Sequence, residues 1–257
     1  MSVYSIIHPG SGLGNQLFRI VAGKILALDK GYEYSAIGRE NFKGKSFMDI
    51  DFGKIYSPVY QLDPKAGKIL AEGNLWEEKT PYYNPEINFI EDNTIIDGEF
   101  QDERYFEHRL SEIDDWLKVK PINVPDDVCV IGFRGGEFYT VPELGLPKSY
   151  FEEGIAKMKE INPNMKFEVH TDDEVLAKQF FPNYKVIHDI GINWRSMRYA
   201  KYAIIANSSF YILPRLLAHD WVSMETMTIA PRYWDRYNIK KWERPYNYYK
   251  GFQYSCF

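Results

Sequence analysis

Val128-Cys-Val-Ile-Gly-Phe133 is an unbroken apolar run, and Arg134-Gly-Gly-Glu137 closes it. A short apolar run ended by glycines predicts a strand buried on both faces, as in a parallel sheet. Downstream, strand and helix patterns alternate. Ser149 and Glu152 form a capping-box pattern that predicts a helix to residue 161, where Asn162-Pro-Asn164 ends it. Residues 166–170 predict the next strand, and Thr171-Asp-Asp173 caps a helix to 181. A strand over 184–187, a helix over 193–202, a strand over 203–206, a helix over 209–219 and a strand over 227–230 follow. Such alternation predicts a doubly wound α/β sheet with ligands at the carboxyl ends of its strands.

Upstream, residues 3–7 read as a strand, Gly10-Ser-Gly-Leu-Gly-Asn15 as a glycine-rich loop, and 16–30 as a helix stopped by Gly31. Residues 32–37 and 94–97 predict two more strands, with an irregular segment over 41–93 between them. A helix to about 119 closes this half. Pro121-Ile-Asn-Val-Pro-Asp-Asp127 reads as a linker, which divides the chain into domains 1–120 and 121–257.

Hydrophobic residues make up 45% and charged residues 26% of the 257, which excludes disorder as the general state. The charge of −5 excludes a general nucleic-acid binder. With 20 Tyr, 16 Phe and 6 Trp, the chain is rich in aromatic rings, which composition alone assigns to the core before any sugar site. The two cysteines, Cys129 and Cys256, suggest neither a disulfide framework nor a zinc site. No basic and apolar leader opens the chain. The best apolar stretch, 199–217, is interrupted by Lys201, Asn207, Pro214 and Arg215. A soluble cytoplasmic protein is expected.

Four segments carry candidate chemistry. The loop 10–15 places backbone amides at a helix start, although it lacks the third glycine of a dinucleotide fingerprint and the Lys of a P-loop. Arg134, closing an apolar strand, suits a phosphate through a bidentate geometry that lysine cannot match; pairing with a nearby acid is the alternative. One of Asp172 and Asp173 is needed as a helix cap, which frees the other for a base or ribose. Asn207-Ser-Ser209 supplies more donors than one cap requires and suits an anion at a helix start, with an over-furnished cap as the alternative. Asp49-Ile-Asp51 is an acidic triplet in an irregular segment and is discounted as a metal site.

Six segments, in order, resemble the α-1,2-fucosyltransferase family: Gly12-Leu-Gly-Asn-Gln-Leu-Phe18, Asp97-Gly-Glu-Phe-Gln-Asp-Glu-Arg-Tyr-Phe106, Ile131-Gly-Phe-Arg-Gly-Gly-Glu-Phe138, His170-Thr-Asp-Asp173, Ile205-Ala-Asn-Ser-Ser-Phe210 and Ile229-Ala-Pro-Arg-Tyr-Trp234. The resemblance implies a GT-B architecture of two Rossmann-like domains facing a central cleft. It implies an inverting transfer of fucose from GDP-fucose to a galactose-type hydroxyl of a glycan, with no metal or other cofactor. A lipid-linked glycan precursor would bring peripheral membrane contact. Carried over by position, Arg134 clamps the diphosphate and stabilises departing GDP, with Asn207, Ser208 and Ser209 beside it. Asp172 helps fix the nucleoside, and Gly14 and Asn15 approach from the first domain. The family's histidine is Gly132 here, its second arginine Gly135 and its aspartate Glu137. Glu137 is therefore the expected general base, with Asp97, Glu99 and Asp102 as rivals. A transferase using another nucleotide sugar and a binding protein without catalysis are the alternatives.

Overall fold

The computed structural model describes residues 1–54, 73–141, 144–221, 226–232, 249 and 251–255. The chain divides into two compact units, Met1–Lys118 and Val119–Phe257. The acidic triplet's neighbourhood is irregular as expected, and the tail 233–248 and Cys256 lie outside the described residues.

The first unit contains β1 (Ser2–Ile6), α1 (Leu13–Lys30), β2 (Glu33–Ile37), β3 (Asn74–Glu77), β4 (Thr94–Asp97) and α2 (Leu110–Trp116). Its sheet is parallel, in the order β2-β1-β4-β3. The buried side of α1 carries Leu17, Ile20, Val21 and Ile25, at the helical spacing that the sequence shows. α1 starts at Leu13, not at Gln16, so Gly14 and Asn15 are in its first turn. β3 falls in the segment read as irregular. Only its Trp76 is half-buried, so its sequence, Asn-Leu-Trp-Glu, has no apolar alternation to reveal it.

The second unit contains β5 (Val128–Phe133), α3 (Lys148–Ile161), β6 (Lys166–Thr171), α4 (Glu174–Phe180), β7 (Lys185–Ile187), α5 (Ile190–Tyr199), β8 (Tyr202–Ile205), α6 (Ser209–Trp221), β9 (Met227–Pro231) and β10 (Phe252–Ser255). All strands are parallel, in the order β10-β9-β8-β5-β6-β7. The chain runs outward through β6 and β7, then returns to the other side of β5. The switch point therefore lies between β5 and β8, where open parallel sheets bind ligands. The Ser149 capping box does not form. Pro147 occupies the cap position with no side-chain bond, which puts Ser149 inside the helix. α5 starts at Ile190 because Asp189 caps it, its carboxylate accepting from Ile192 N at 2.7 Å.

Much of the aromatic content is core. Phe133 meets Tyr139, Phe151, Phe180 and Phe181 at ring separations of 5.0–5.6 Å. Two buried polar side chains brace this unit. Arg215 of α6, fully buried, donates to Thr228 Oγ1 at 2.9 Å and to the carbonyls of Met197 and Ala200 at 2.9 and 2.7 Å. Those carbonyls belong to the end of α5, where the helix dipole favours a cation. Burial pulls the guanidinium down to about 10. His170 of β6, also fully buried, donates from Nδ1 to Asn193 Oδ1 at 2.9 Å, and Asn193 donates in turn to Thr171 O at 3.0 Å. Its Nε2 has no hydrogen-bond partner, and burial lowers its pKa to about 4.

Two predictions follow from these braces. Arg215→Ala leaves a cavity and two unpaired helix-end carbonyls, so urea unfolding is expected to register a loss of about 3–5 kcal/mol. Wild-type stability in that variant would mean that burying the charge costs as much as its bonds return. His170 binds its proton more weakly folded than unfolded, so it destabilises the fold as pH falls. The loss begins near the unfolded value of about 6.5 and is complete below about 4, amounting to about 3 kcal/mol. Unfolding free energies measured across that window should decline by about that much less in His170→Gln; parallel curves would refute the assignment.

Candidate functional site

Arg134 follows β5 directly, at the switch point. Its NH2 donates to Glu137 Oε1 at 2.8 Å, its NH1 contacts Asp172 Oδ2, and its guanidinium lies 5.0 Å from the Phe138 ring centre. The side chain is 25% exposed, so the charge is reachable from solvent. Asp172 and Asp173 fasten the turn beneath it. Asp172 Oδ1 accepts from Gly135 N at 2.8 Å, and Asp173 Oδ2 from Gly136 N at 3.0 Å. Asp173 Oδ1 also caps α4 through Leu176 N at 3.0 Å. The division of labour between the two aspartates is the one that capping logic demands, with Asp172 the freed carboxylate.

The glycines of this turn have structural reasons. A Cβ on Gly135 would meet Asp173 Cβ at 2.4 Å, and Gly136 has φ 53°. A Cβ on Gly132 would come within 2.9 Å of Met197 Cε and of the Tyr211 ring. Tyr211 thus fills the space above Gly132, where the resemblance expects a histidine. Its hydroxyl faces Phe133 O at 3.0 Å and His170 O at 2.9 Å.

Across the switch point, β8 runs into Asn207, Ser208 and Ser209. Asn207 is buried and donates from Nδ2 to Leu144 O at 3.1 Å. Ser208 is also buried, and its carbonyl accepts from Tyr211 N and Ile212 N, opening α6. Ser209 is half-buried. Arg134, Asp172 and the 207–209 segment therefore gather at the carboxyl end of one sheet. Glu137 joins them, exposed and bonded to Arg134.

Gly14 and Asn15 lie in the first unit. Gly14 is buried, while Asn15 Oδ1 accepts from Gln101 Nε2 at 3.3 Å. Gln16, beside them, is a staple: it donates to Ser11 O and Asn41 O and accepts from Lys43 N. Of the rival carboxylates, Asp102 is buried and accepts from Tyr83 N, Arg104 N and the Arg104 guanidinium. Glu99 accepts from Arg19 NH2 at 2.9 Å. Asp97 takes a different partner, His8, with Nε2 at 2.9 Å from both carboxylate oxygens. The sequence reading gives His8 no role. Its signal is positional: it lies two residues beyond β1, whose neighbour β4 ends on Asp97.

Among the described residues, no group of three His, Cys, Asp or Glu could hold a metal ion, and no helix is long and apolar enough to cross a membrane. No protein-family profile and no curated protein sequence matches the chain. Solved structures do. The fucosyltransferase NodZ from Bradyrhizobium superposes with a TM-score of 0.51 at 14% identity, over 84% of this chain and 93% of NodZ. A NodZ α-1,6-fucosyltransferase co-crystallised with GDP gives 0.49 at 13%, over 84% and 92%. A family 9 glycosyl transferase from Veillonella parvula gives 0.49 at 11%, over 100% and 86%. At the identity of the first of these the likeness is one of fold: the chain shares the α/β fold of that NodZ structure.

Proposed function

We propose that this protein is a GT-B glycosyltransferase that moves fucose from GDP-fucose to a galactose-type hydroxyl of a glycan, with inversion and without a metal. The observation that supports this reading most is Arg134, 25% exposed at the carboxyl end of β5, beside the strand β8 that leads into the Ser208-Ser209 helix start. A diphosphate there would meet a guanidinium and the first-turn amides of α6. Those donors also stabilise the charge that develops on the β-phosphate as GDP departs. Asp172 orients the arginine and borders the nucleoside, and Asn207 shapes the loop around it. In the first unit, Gly14 and Asn15 stand in the first turn of α1, whose backbone amides are open to a polar ligand group. The fold shared with a fucosyltransferase agrees with this reading, and the order of the six sequence segments favours GDP-fucose over other nucleotide sugars.

Glu137 enters as the carboxylate that holds Arg134 while no diphosphate is bound. A phosphate must take its place, because Arg134 between two carboxylates is a poor anion host.

Arg134→Ala is expected to cost about 2–5 kcal/mol of GDP binding, measured by calorimetry, with the thermal melt little changed. Unaltered GDP affinity in the folded variant, or equal affinity of the wild type for UDP, would overturn the donor assignment. Glu137→Gln should tighten GDP binding up to about fivefold, since an exposed pair of this kind returns about 0.2–1 kcal/mol. A loss of turnover by 10² or more at unchanged affinity, a typical general-base effect of about 10²–10⁴, would instead make Glu137 the base.

A further inference from the structure

The two strands that flank the second unit's switch point, β5 and β8, end on Phe133 and Ile205. Their ladder closes where Ala206 N donates to Gly132 O at 2.8 Å. Beyond that bond the chains part, one into Arg134 and the other into Asn207, and the ladder no longer fixes the distance between them. We propose that Tyr150 and Tyr211 are positioning residues for the donor site, two buried hydroxyls that clasp the strand ends and so hold Arg134, Asp172 and the 207–209 segment in register with one diphosphate. The inference rests on the GDP reading above and concerns the second unit alone.

The two clasps are reciprocal. Tyr150 is the third residue of α3, the helix that follows β5, and it reaches to the other side of the switch point. Its hydroxyl donates to Ile205 O of β8 at 2.7 Å, with Ile229 O of β9 at 3.4 Å. Tyr211 is the third residue of α6, the helix that follows β8, and it reaches back to Phe133 O of β5 at 3.0 Å and His170 O of β6 at 2.9 Å. Each hydroxyl therefore serves the last carbonyl of one switch-point strand and a carbonyl of that strand's outer neighbour. Sequence order ties these carbonyls to the ligand groups: Phe133 precedes Arg134, His170 lies two residues before Asp172, and Ile205 two before Asn207.

The hydroxyls, not the rings, make the clasps. Phenylalanine would fill both spaces as well, so what tyrosine adds is the bond to the strand ends. Both side chains are buried, and burial raises the pKa of each hydroxyl, so each keeps the proton it donates. A tyrosine is also a rigid spacer with only two side-chain torsions, so the helix start and the strand end move together. Tyr211 N bonds Ser208 O at 3.0 Å, which places the tyrosine that steadies Arg134 on the same turn as the Ser208-Ser209 donors.

The test measures GDP affinity by calorimetry for the wild type, Tyr150→Phe, Tyr211→Phe and a control, Tyr34→Phe, which removes a hydroxyl 2.6 Å from Ser5 Oγ in the first unit. Thermal melts establish that each protein is folded at the temperature of the titration. Tyr150→Phe and Tyr211→Phe should each weaken GDP binding about 10- to 100-fold, the order that misplacing a contact by about 1 Å can cost. Tyr34→Phe should lower the melt and leave GDP affinity unchanged, which is how a hydroxyl with a structural role alone behaves. A folded Tyr150→Phe or Tyr211→Phe protein that binds GDP as the wild type does overturns the role of that hydroxyl and leaves the donor reading standing. An equal loss in Tyr34→Phe overturns the role of both. If one variant does not fold, the other decides by the same criteria; if neither folds, the hydroxyls hold the fold and not the site, and the positioning role is overturned. A folded wild type that binds no GDP overturns the donor reading and the clasps with it.

Discussion

The Tyr211 hydroxyl is the contact on which the second unit's site depends. It lies 3.0 Å from Phe133 O and 2.9 Å from His170 O, at the carboxyl ends of neighbouring strands β5 and β6. A hydroxyl has one proton, so the two carbonyls share it. That shared bond is fully buried, and losing it would strand two carbonyls at about 1–3 kcal/mol for each unsatisfied group. The ring also needs Gly132, because a side chain there would overlap it. One tyrosine thus sets the spacing of the strand ends that present Arg134 and Asp172, and it does so from the first turn of the helix that Ser209 opens.

Around that fixed point, electrostatics work in opposite directions. Arg134 is kept in place by Asp172 and Glu137, while the diphosphate of the proposed donor would need it unpaired. The two carboxylates differ in what they can yield. Asp172 also accepts from Gly135 N and is only 36% exposed, whereas Glu137 is 74% exposed and contributes a single bond to the arginine. The more solvated partner, with fewer bonds to lose, is the one that the phosphate of the proposed donor would replace. Asp172 would then continue to aim the guanidinium, leaving the proposed site preorganised without being blocked.

The central strand of the second sheet was legible because it is buried on both faces. Val128–Phe133 has no exposed residue, and its apolar run has the bounds of the strand. That one of Asp172 and Asp173 caps α4 was legible too, and the structure gives the cap to Asp173. Elements whose formation depends on distant partners left no local trace. β10 pairs with β9 across a long stretch of chain, and β3 is an edge strand whose residues face mostly outward. The capping box at Ser149 failed because proline, with its fixed φ, already suits the helix entrance. His8 was invisible for a related reason: its partner is 89 residues away, and only the parallel pairing of β1 with β4 brings them together.

The two units solve the same geometric problem and differ in the chemistry they place on it. In each, a central strand ends in a glycine-bearing turn, and the neighbouring strand supplies an aspartate that fixes the side chain leaving the central strand: Asp97 fixes His8, and Asp172 fixes Arg134. The choice of side chain then decides the function of each end. A guanidinium stays charged throughout the accessible pH range, so Arg134 can hold an anion but cannot accept a proton. A neutral imidazole binds anions weakly but accepts a proton readily, and a carboxylate behind it makes the cation that results less costly.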